Sequence, residues 1–189
     1  SRPMQVNDLG LGGVLEIIPR KYGDQRGFFS ETYQRQRFGD AGIGFDWIQD
    51  NQSYSADKGV LRGLHFQLAP VAQDKLIRVL RGSIFDVAVD VRANSPSFGK
   101  WVSRTLSADA FNQLLIPRGF AHGFLTLEAN VEVLYKVTAP YSPECERAIL
   151  WNDPMLGIEW PLEPDQQPIL SAKDAAAPKL QEIAASIAF

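Results

Sequence analysis

Two stretches of the chain alternate apolar residues with polar or small ones at a period of two, the spacing of a β-strand that faces a core on one side. Residues 84–91, IFDVAVDV, place Phe85 on one face with three valines, and residues 131–137, VEVLYKV, do the same with Tyr135. Glycines and turn-forming clusters such as RANSPSFG separate segments of this kind. The pattern predicts many short strands joined by turns, and therefore an antiparallel sandwich or barrel.

A jelly roll is the version we expect, because it closes most sheet edges and leaves an open mouth for a ligand. Helical signals are few and lie towards the two ends. Residues 31–42 predict a short helix that ends near Gly39 or Gly42. Near the C-terminus Pro178 suits a first helical turn, and apolar residues recur at helical spacing at Leu180, Ile183 and Ile187. The predicted fold is therefore mainly β, with a short N-terminal helical segment and a C-terminal helix.

The length of the chain bounds the number of domains. Its 189 residues suffice for one well-buried domain and are few for two. With 45% hydrophobic residues, the chain can bury a substantial core. We expect a single domain over residues 1–189, with its core at about 13–165 and the C-terminal helical segment at about 172–189.

Charge and cysteine content exclude several classes of protein. A net charge of -3 and a pI near 5.4 give no general attraction to nucleic acid or to an anionic membrane. Cys145 is the single cysteine, which rules out an internal disulfide framework and favours a reducing compartment. No apolar run approaches the roughly 20 residues of a membrane span, and no basic-then-apolar signal peptide is found. These features predict a cytoplasmic protein that binds neither nucleic acid nor a membrane.

The chain contains two histidines, and both lie in apolar segments bounded by glycine: His65 in GLHFQ and His122 in RGFAHGF. Three interpretations are open, namely packed core residues, metal ligands or a catalytic pair. A metal site needs three or four converging ligands. Metal-binding jelly rolls usually supply closely spaced histidines on one strand, whereas this chain has no His-x-His. Metal binding is therefore the weaker interpretation, and we expect no metal.

An acid–base role requires a carboxylate that orients the histidine and a cation near the charge that develops. Arg62, His65 and Lys75 lie close together in the sequence, but strict alternation puts Arg62 and His65 on opposite faces of one strand. The two share a cavity only if the strand is irregular between them, and Gly63 is a candidate bulge. Lys75 can equally be a solvated charge at the start of a strand.

Two further candidates also have structural interpretations. Tyr135 can be an ordinary core residue with one satisfied hydroxyl. The spacing from Ser171 to Asp174 resembles a capping box at the start of a helix. The residues alone therefore predict a β-sandwich with a cavity that holds His, Arg and Lys side chains, and they leave these alternatives open.

Several motifs follow one another along the chain in the order of a known family. They include RGFFSE at 26–31, IQDNQSYS at 48–55, VLRGLHFQ at 60–67, IPRGFAHGFLTL, YKVTAPYSPECERAILWNDP and LSAKD. Together they resemble the dTDP-4-dehydrorhamnose 3,5-epimerase family, which consists of sugar-nucleotide epimerases with a metal-free, cupin-like jelly roll. The resemblance covers roughly residues 13–180, and several motifs in register are far more specific than any one of them.

The resemblance implies a reaction. Its substrate would be dTDP-4-dehydro-6-deoxy-D-glucose, and inversion of C3 and C5 would give dTDP-4-dehydro-L-rhamnose. Hydrogens on the two carbons that flank a ketone are acidic, because the anion left behind delocalises onto the carbonyl oxygen. Inversion needs a base on one face of the sugar, an acid on the other and a positive group at the enolate oxygen. No metal or redox cofactor is implied.

The resemblance also implies a role for each matched residue. His65 would be the base, Asp174 would orient its ring, Tyr135 would be the acid on the opposite face, and Lys75 would face the keto oxygen. The implied substrate-binding residues are Arg26, Glu31, Gln49, Asp50, Asn51, Arg62, Lys75, His122, Tyr141, Glu146 and Lys173. Arginine suits a diphosphate, and Tyr141 suits stacking on the thymine base. A homodimer is implied as well, with the segment near residues 26–31 completing the partner's pocket.

Three alternatives compete with this hypothesis. A relative of the same family can invert a single carbon, and small changes in the pocket would suffice for that. A non-catalytic jelly roll that binds a sugar nucleotide would keep the arginines for the diphosphate but would not need a base opposite an acid. A metal-dependent cupin oxygenase would need ligands that this chain lacks.

Overall fold

The computed structural model describes residues 4–189. Within this range thirteen strands follow in chain order: β1 (Met4–Asp8), β2 (Leu15–Pro19), β3 (Tyr22–Asp24), β4 (Gly27–Phe29), β5 (Gln49–Ser55), β6 (Leu61–Gln67), β7 (Lys75–Arg81), β8 (Ser83–Asp90), β9 (Trp101–Ser107), β10 (Gln113–Ile116), β11 (Phe120–Thr126), β12 (Val131–Val137) and β13 (Glu146–Ala148). The helices are short: α1 (Arg35–Asp40), α2 (Ala172–Ala175), α3 (Leu180–Ile183) and a 3-10 turn (Ala184–Ser186). Residues 1–3 of the expected single-domain range lie outside the described residues.

Two antiparallel sheets form the body of the molecule. The first has the strand order β1-β2-β10-β7-β12-β5, and the second has the order β13-β6-β11-β8-β9. Strands β3 and β4 form a separate hairpin. In both sheets most neighbours are not consecutive in the chain, as expected for a jelly roll. The predicted mainly β, antiparallel fold is confirmed.

The main apolar core draws residues from both sheets. Ile77 of β7 and Val133 of β12 come from the first sheet, while Ile84 and Ala88 of β8 come from the second. All four side chains are almost completely removed from water. The two sheets therefore pack face to face over this cluster, and burial of its apolar surface is the main force that holds them together.

The predicted alternation in β8 is correct, but its valine face is not the face turned towards the other sheet. Val87 and Val89 belong to a second cluster together with Leu180 of α3, on the outer side of the second sheet. The C-terminal segment covers this side. The inner side of β8 carries Ala88 and also Asp86, whose side chain is fully buried. An acidic residue therefore lies inside the sandwich.

The predicted N-terminal helix is confirmed as α1, which places Phe38 against the outer side of the first sheet. The C-terminal segment is helical as predicted, but it is not one helix. It is interrupted at residues 176–179, between α2 and α3. Pro178 explains the interruption, because proline lacks a backbone N–H and disfavours helical geometry in the residue before it. Nowhere in residues 4–189 is a helix long and apolar enough to cross a membrane.

Candidate active site

Two adjoining cavities open between the sheets, with volumes of about 540 and 470 Å³. Four side chains line both cavities: His65, Lys75, Tyr135 and Glu146. Lys75 and Tyr135 belong to the first sheet, whereas His65 and Glu146 belong to the second. Cavities of this size suit a small-molecule ligand. The site therefore lies where side chains of the two sheets approach each other.

An irregularity in β6 brings Arg62 and His65 to the same cavity. Arg62 lies opposite Phe124 of β11, and His65 lies opposite His122. Between these pairs two residues of β6 face one residue of β11, which is the definition of a β-bulge. Because of this extra residue, the side chains of Arg62 and His65 point to the same side of the sheet, and both line the larger cavity. The bulge predicted at Gly63 is confirmed.

Glycine is required at this bulge. Gly63 has a φ of +125°, a backbone conformation that side-chain-bearing residues rarely adopt. A Cβ atom at this position would lie 2.6 Å from the Cα of Gly123 and 2.7 Å from the carbonyl oxygen of His122. The close approach of two backbones therefore depends on glycines in both strands.

His65 and Asp174 form a dyad at the edge of the cavity. Nε2 of His65 lies 2.6 Å from Oδ1 of Asp174, and the backbone N–H of Gly63 donates to the other carboxylate oxygen at 3.2 Å. The hydroxyl of Ser171 caps α2 by accepting from the backbone N–H of Asp174 at 3.1 Å. The cap predicted at Ser171 and the carboxylate predicted to orient His65 therefore belong to one short element, the start of α2.

The charge state of the dyad follows from its contacts. Burial by itself would raise the pKa of Asp174, but the hydrogen bond and charge of His65, with the bonds from Gly63 and Ser171, outweigh burial and lower that pKa below its usual value. Asp174 is therefore a carboxylate at neutral pH. As an acceptor at Nε2 of His65, it favours the tautomer that carries its proton on Nε2, which leaves the other ring nitrogen as the one that can accept a proton. The side chain of His65 is 33% exposed, so solvent can reach the ring.

Lys75 is buried at the start of β7, and the interpretation of this residue as a solvated charge is wrong. Its Nζ lies 5.9 Å from the centre of the Tyr135 ring. Burial lowers the pKa of Lys75 from 10.5 to about 8, although the negative charges of Asp86 and Glu146 act in the opposite direction. The amine is therefore mainly protonated at neutral pH.

Tyr135 reaches the cavity from β12, where it lies opposite Asn51 of β5. Burial raises the pKa of Tyr135, while the hydrogen bond with Asn51 lowers it and the burial effect is larger. The hydroxyl therefore stays protonated at neutral pH. The ring of Tyr135 also packs against the core between the sheets. Tyr135 is therefore both a core residue and part of the cavity wall.

His122 lines the larger cavity and is bound from behind by Asp86 of β8, with Nε2 and Oδ1 2.5 Å apart. Burial lowers the pKa of His122 more than the neighbouring carboxylate raises it. The ring is therefore neutral at physiological pH. Its Nε2–H is donated to Asp86, and its other nitrogen can accept a hydrogen bond.

Most of the residues that line the smaller cavity have polar side chains, and an exposed aromatic ring lies beside it. Gln49 and Asn51 project into it from β5, and Tyr141 lies at its rim with 56% of its surface exposed. Glu146 faces the cavity from β13 and accepts a hydrogen bond from Lys173 at 3.3 Å. This region offers amide groups, one carboxylate and a ring face.

Arg62 and Lys173 supply positive charge to the larger cavity. Arg62 donates to the Ser55 hydroxyl at 3.1 Å and to the Tyr54 carbonyl at 3.0 Å. Both acceptors are uncharged, so within residues 4–189 these contacts hold the guanidinium without neutralising its charge. Arg62 can therefore pair with an anionic ligand.

Three predicted binding residues lie outside both cavities in a single copy of the chain. Arg26 is almost fully exposed in the β3–β4 turn and pairs with Asp24 at 2.6 Å. Glu31 lies just after the same hairpin, and Asp50 points to the outer face of β5, where it pairs with Lys136 at 3.0 Å. Contact of these three residues with a ligand stays a prediction.

Sequence reasoning missed two residues that shape the site, Asp86 and Gln67. The amide of Gln67 donates to the carbonyls of Val71 and Pro140, and its oxygen accepts from the backbone N–H of Ser142 at 2.9 Å. It therefore fixes the loop that carries Tyr141. The available signal was a polar residue at the end of the apolar run LHFQL. Among residues 4–189, no three His, Cys, Asp or Glu side chains converge as a metal site would require.

A jelly roll with a histidine–carboxylate dyad, a buried lysine and a tyrosine around one cavity defines a class: β-sandwich proteins equipped to move protons on a small molecule. Comparison with known proteins places the chain within that class. The family model for dTDP-4-dehydrorhamnose 3,5-epimerase matches residues 8–182. The chain belongs to the dTDP-4-dehydrorhamnose 3,5-epimerase family, whose members are isomerases.

Individual relatives agree with this assignment. The chain is 55% identical over 180 residues to the dTDP-4-dehydrorhamnose 3,5-epimerase of Salmonella typhimurium, covering 95% of this chain and 97% of that protein. The Legionella pneumophila epimerase, solved with dTDP-4-keto-L-rhamnose, is 46% identical, with a TM-score of 0.92 over 98% of this chain and 97% of that one. A 3'-monoepimerase of Streptomyces bikiniensis, in complex with dTDP-quinovose, is 33% identical, with a TM-score of 0.85 over 93% and 87%.

Proposed function

We propose that this chain inverts C3 and C5 of dTDP-4-dehydro-6-deoxy-D-glucose and so produces dTDP-4-dehydro-L-rhamnose. One observation carries the proposal: His65 and Tyr135 enter the same cavities from opposite sheets. A sugar between them would present one face to a base and the other to an acid. Family membership and the dTDP-sugar in the Legionella relative support this choice of substrate.

Proton removal is the task of His65. Its unprotonated ring nitrogen would take the hydrogen from a carbon beside the ketone, and the imidazolium so formed would be stabilised by the charged Asp174, 2.6 Å away. Because the His65 ring is partly exposed, the abstracted proton would exchange with solvent between the two inversions. Solvent hydrogen should therefore appear in the product.

The negative charge created by proton removal moves to the carbonyl oxygen, where Lys75 would stabilise it. An ammonium group fixed in a cavity stabilises such a charge far better than one in water, because the local dielectric constant is low. With a pKa of about 8, Lys75 is mainly charged at neutral pH. It can thus stabilise the enolate without a separate proton transfer.

Proton return is the task of Tyr135. Burial raises the pKa of its hydroxyl and keeps it protonated until a strong base, the enolate carbon, is presented. Because Tyr135 delivers its proton from the sheet opposite His65, the configuration of the carbon is inverted. The same pair would act first at one carbon and then at the other, after the sugar shifts in the cavity.

Binding of the nucleotide would use the polar ends of the two cavities. The positive charges of Arg62 and Lys173 suit the diphosphate, and the exposed ring of Tyr141 suits the thymine base. Gln49, Asn51, His122 and Glu146 supply further hydrogen bonds to the substrate. The roles of these residues are part of the proposal.

A homodimer is also part of the proposal. The β3–β4 hairpin leaves two aromatic rings largely in solvent, Phe28 at 56% and Phe29 at 73% exposed. Exposed aromatic groups next to each other favour a contact with another protein surface. The hairpin also carries Arg26, and Glu31 follows it, so docking on a second copy would bring both towards that copy's cavity. Location in the cytoplasm stays a prediction.

The direct test is conversion of the substrate. Purified protein would be incubated with dTDP-4-dehydro-6-deoxy-D-glucose, and the sugar product would be identified by NMR. We expect dTDP-4-dehydro-L-rhamnose. A product inverted at one carbon would reassign the chain to the single-site epimerases, and unchanged substrate despite tight binding would point to a sugar-nucleotide-binding protein without catalysis.

A further inference from the structure

The Tyr141 loop, residues 139–142, belongs to the connection between β12 and β13 and lies beside the smaller cavity. These four residues form neither a strand nor a helix, so the hydrogen bonds of regular secondary structure do not hold them. More than half of the surface of Tyr141 is exposed, so packing restrains this residue only in part. Hydrogen bonds from glutamine side chains hold the loop instead.

Gln67, the last residue of β6, makes the largest number of these contacts. Its Nε2 donates to the carbonyls of Val71 at 2.8 Å and Pro140 at 3.1 Å, and its Oε1 accepts from the backbone N–H of Ser142 at 2.9 Å. The side chain is buried, and these bonds use both N–H groups of the amide. A buried amide that loses its partners is destabilising, so Gln67 favours the loop position in which all three bonds form.

Two more glutamines bind the remaining residues of the loop. Gln73 precedes β7 and donates to the carbonyl of Ala139 at 2.9 Å. Gln49 begins β5 and accepts from the backbone N–H of Tyr141 at 3.4 Å. With the two bonds from Gln67, a glutamine contacts the backbone of every residue from 139 to 142. All three glutamines also line the smaller cavity, so the loop is tied to the wall beside which its ring lies.

We propose that Gln67 and Gln73 are positioning residues that hold Tyr141 ready to stack on the nucleobase of the substrate. The proposal rests on the proposed function, which places that base against the Tyr141 ring. An unrestrained loop would lose conformational freedom on binding, and ordering a single backbone residue weakens binding about tenfold. The glutamines order the loop before the ligand arrives and so remove this cost. Their replacement should therefore weaken nucleotide binding and leave proton transfer unchanged.

Hydrogen exchange tests the state of the loop without any ligand. In Gln67→Leu and in Gln73→Leu the backbone N–H of Tyr141 keeps its own acceptor, Gln49. Faster exchange of this amide therefore reports release of the loop as a whole. We expect exchange about tenfold faster than in the wild type, measured by NMR on the free protein. Unchanged exchange in the folded variants would overturn the proposal.

Ligand binding tests the consequence for the base. Calorimetry would compare dTDP, which carries the base, with inorganic pyrophosphate, which does not. We expect Gln67→Leu and Gln73→Leu to bind dTDP about tenfold more weakly and pyrophosphate as the wild type does. KM for the sugar nucleotide should rise by a similar factor, while kcat is unchanged. Unchanged affinity for dTDP, an equal loss for pyrophosphate or a parallel fall in kcat would each contradict the proposal.

Asn112→Leu is the matched control. Asn112 is also a buried amide that bridges backbone groups, because it donates to the carbonyl of Thr105 at 2.9 Å and accepts from the N–H of Ser107 at 3.2 Å. It lies outside both cavities. This variant should melt at a lower temperature and keep the wild-type affinity for dTDP. A tenfold loss of affinity here as well would assign the effect to general destabilisation and overturn the proposal.

Two further outcomes are separable. If Gln67→Leu does not fold, Gln73→Leu decides the result alone, because Gln73 is only partly buried and donates a single bond to the loop. If the wild type binds no dTDP, the proposed function fails. Exchange of the Tyr141 amide then still decides whether the glutamines hold the loop.

Discussion

Nε2 of His65 and Oδ1 of Asp174 lie 2.6 Å apart, although 109 positions separate these residues in the chain. Two local features bring them together. The bulge at Gly63 turns His65 into the cavity and aims the Gly63 N–H at the carboxylate, while the Ser171 cap fixes the short helix that carries Asp174. Backbone contacts therefore fix the position of both members of the dyad.

Replacing Asp174 by Asn should lower kcat/KM roughly 100-fold, since the amide cannot stabilise the imidazolium of His65. Binding of dTDP should change little, because Asp174 is not among the residues proposed to bind the nucleotide. The matched control is Asp153→Asn: Asp153 accepts from the backbone N–H of Leu180 at 2.9 Å, at the start of α3 and away from the cavities. That variant should be less stable but catalytically normal. Equal activity losses in both variants would show that Asp174 acts only as a structural cap.

Replacing Tyr135 by Phe should separate exchange from inversion. His65 would still remove a proton and return a solvent-derived one to the same face, so deuterium should enter the substrate while epimerised product is lost. NMR of the sugar in heavy water reports both quantities. Tyr33→Phe is a suitable control, because Tyr33 packs on Phe38 outside the two cavities. Full inversion by Tyr135→Phe would assign the acid to another group.

Lys75 should reduce stability at neutral pH, because its folded-state pKa of about 8 lies below the ordinary 10.5. Between these two pH values the unfolded chain binds more protons than the folded chain. The free energy of unfolding therefore rises as the pH increases from about 8 to 10.5. The cost below pH 8 is on the order of 3 kcal/mol.

We therefore expect Lys75→Met to be more stable than the wild type at pH 7 and inactive. Urea unfolding at pH 7 and at pH 10 measures the effect, and the advantage of the variant should shrink at the higher pH. Lys58→Met, at an exposed turn, controls for loss of a surface charge. If Lys75→Met were less stable than the wild type at pH 7, burial of the Lys75 ammonium would not destabilise the folded protein, and this prediction would be wrong.

Subunit exchange tests the proposed dimer. Arg26→Ala and His65→Ala should each be nearly inactive, since one lacks a contact made to the partner and the other lacks the base. If each pocket combines Arg26 of one copy with His65 of the other, a mixture of the two variants forms dimers with one intact pocket. Part of the activity should then return on mixing, and sedimentation should give twice the 21.0 kDa of one chain. Mixing without recovery would place Arg26 and His65 in the same subunit's pocket.

The sequence predicted what depends on neighbouring residues. Strand β12, helix α1 and the bulge at Gly63 follow from alternation, spacing and the special conformations of glycine. The interruption at Pro178 also had a local signal, but the apolar spacing of Leu180 and Ile183 concealed it.

Other features depend on strands far apart in the chain, and the sequence could not show them. Burial of Lys75 results from the packing of the second sheet over β7, and its own segment, QDKLIRVLRG, resembles many strands that begin at a surface. Asp86 stands in an ordinary alternating pattern, and its importance depends on contact with His122, 36 positions away. Charged residues inside a sandwich are therefore the hardest to predict, because their partners come from other strands.

Deuterium incorporation tests the central claim most directly. The protein would be incubated in heavy water with dTDP-4-dehydro-6-deoxy-D-glucose, and the positions of deuterium in the sugar would be read by NMR, with His65→Ala as the control that should still bind dTDP. We predict deuterium at both C3 and C5 with the wild type and at neither carbon with the variant. Deuterium at one carbon only, or equal exchange by wild type and His65→Ala, would contradict a double inversion that depends on His65.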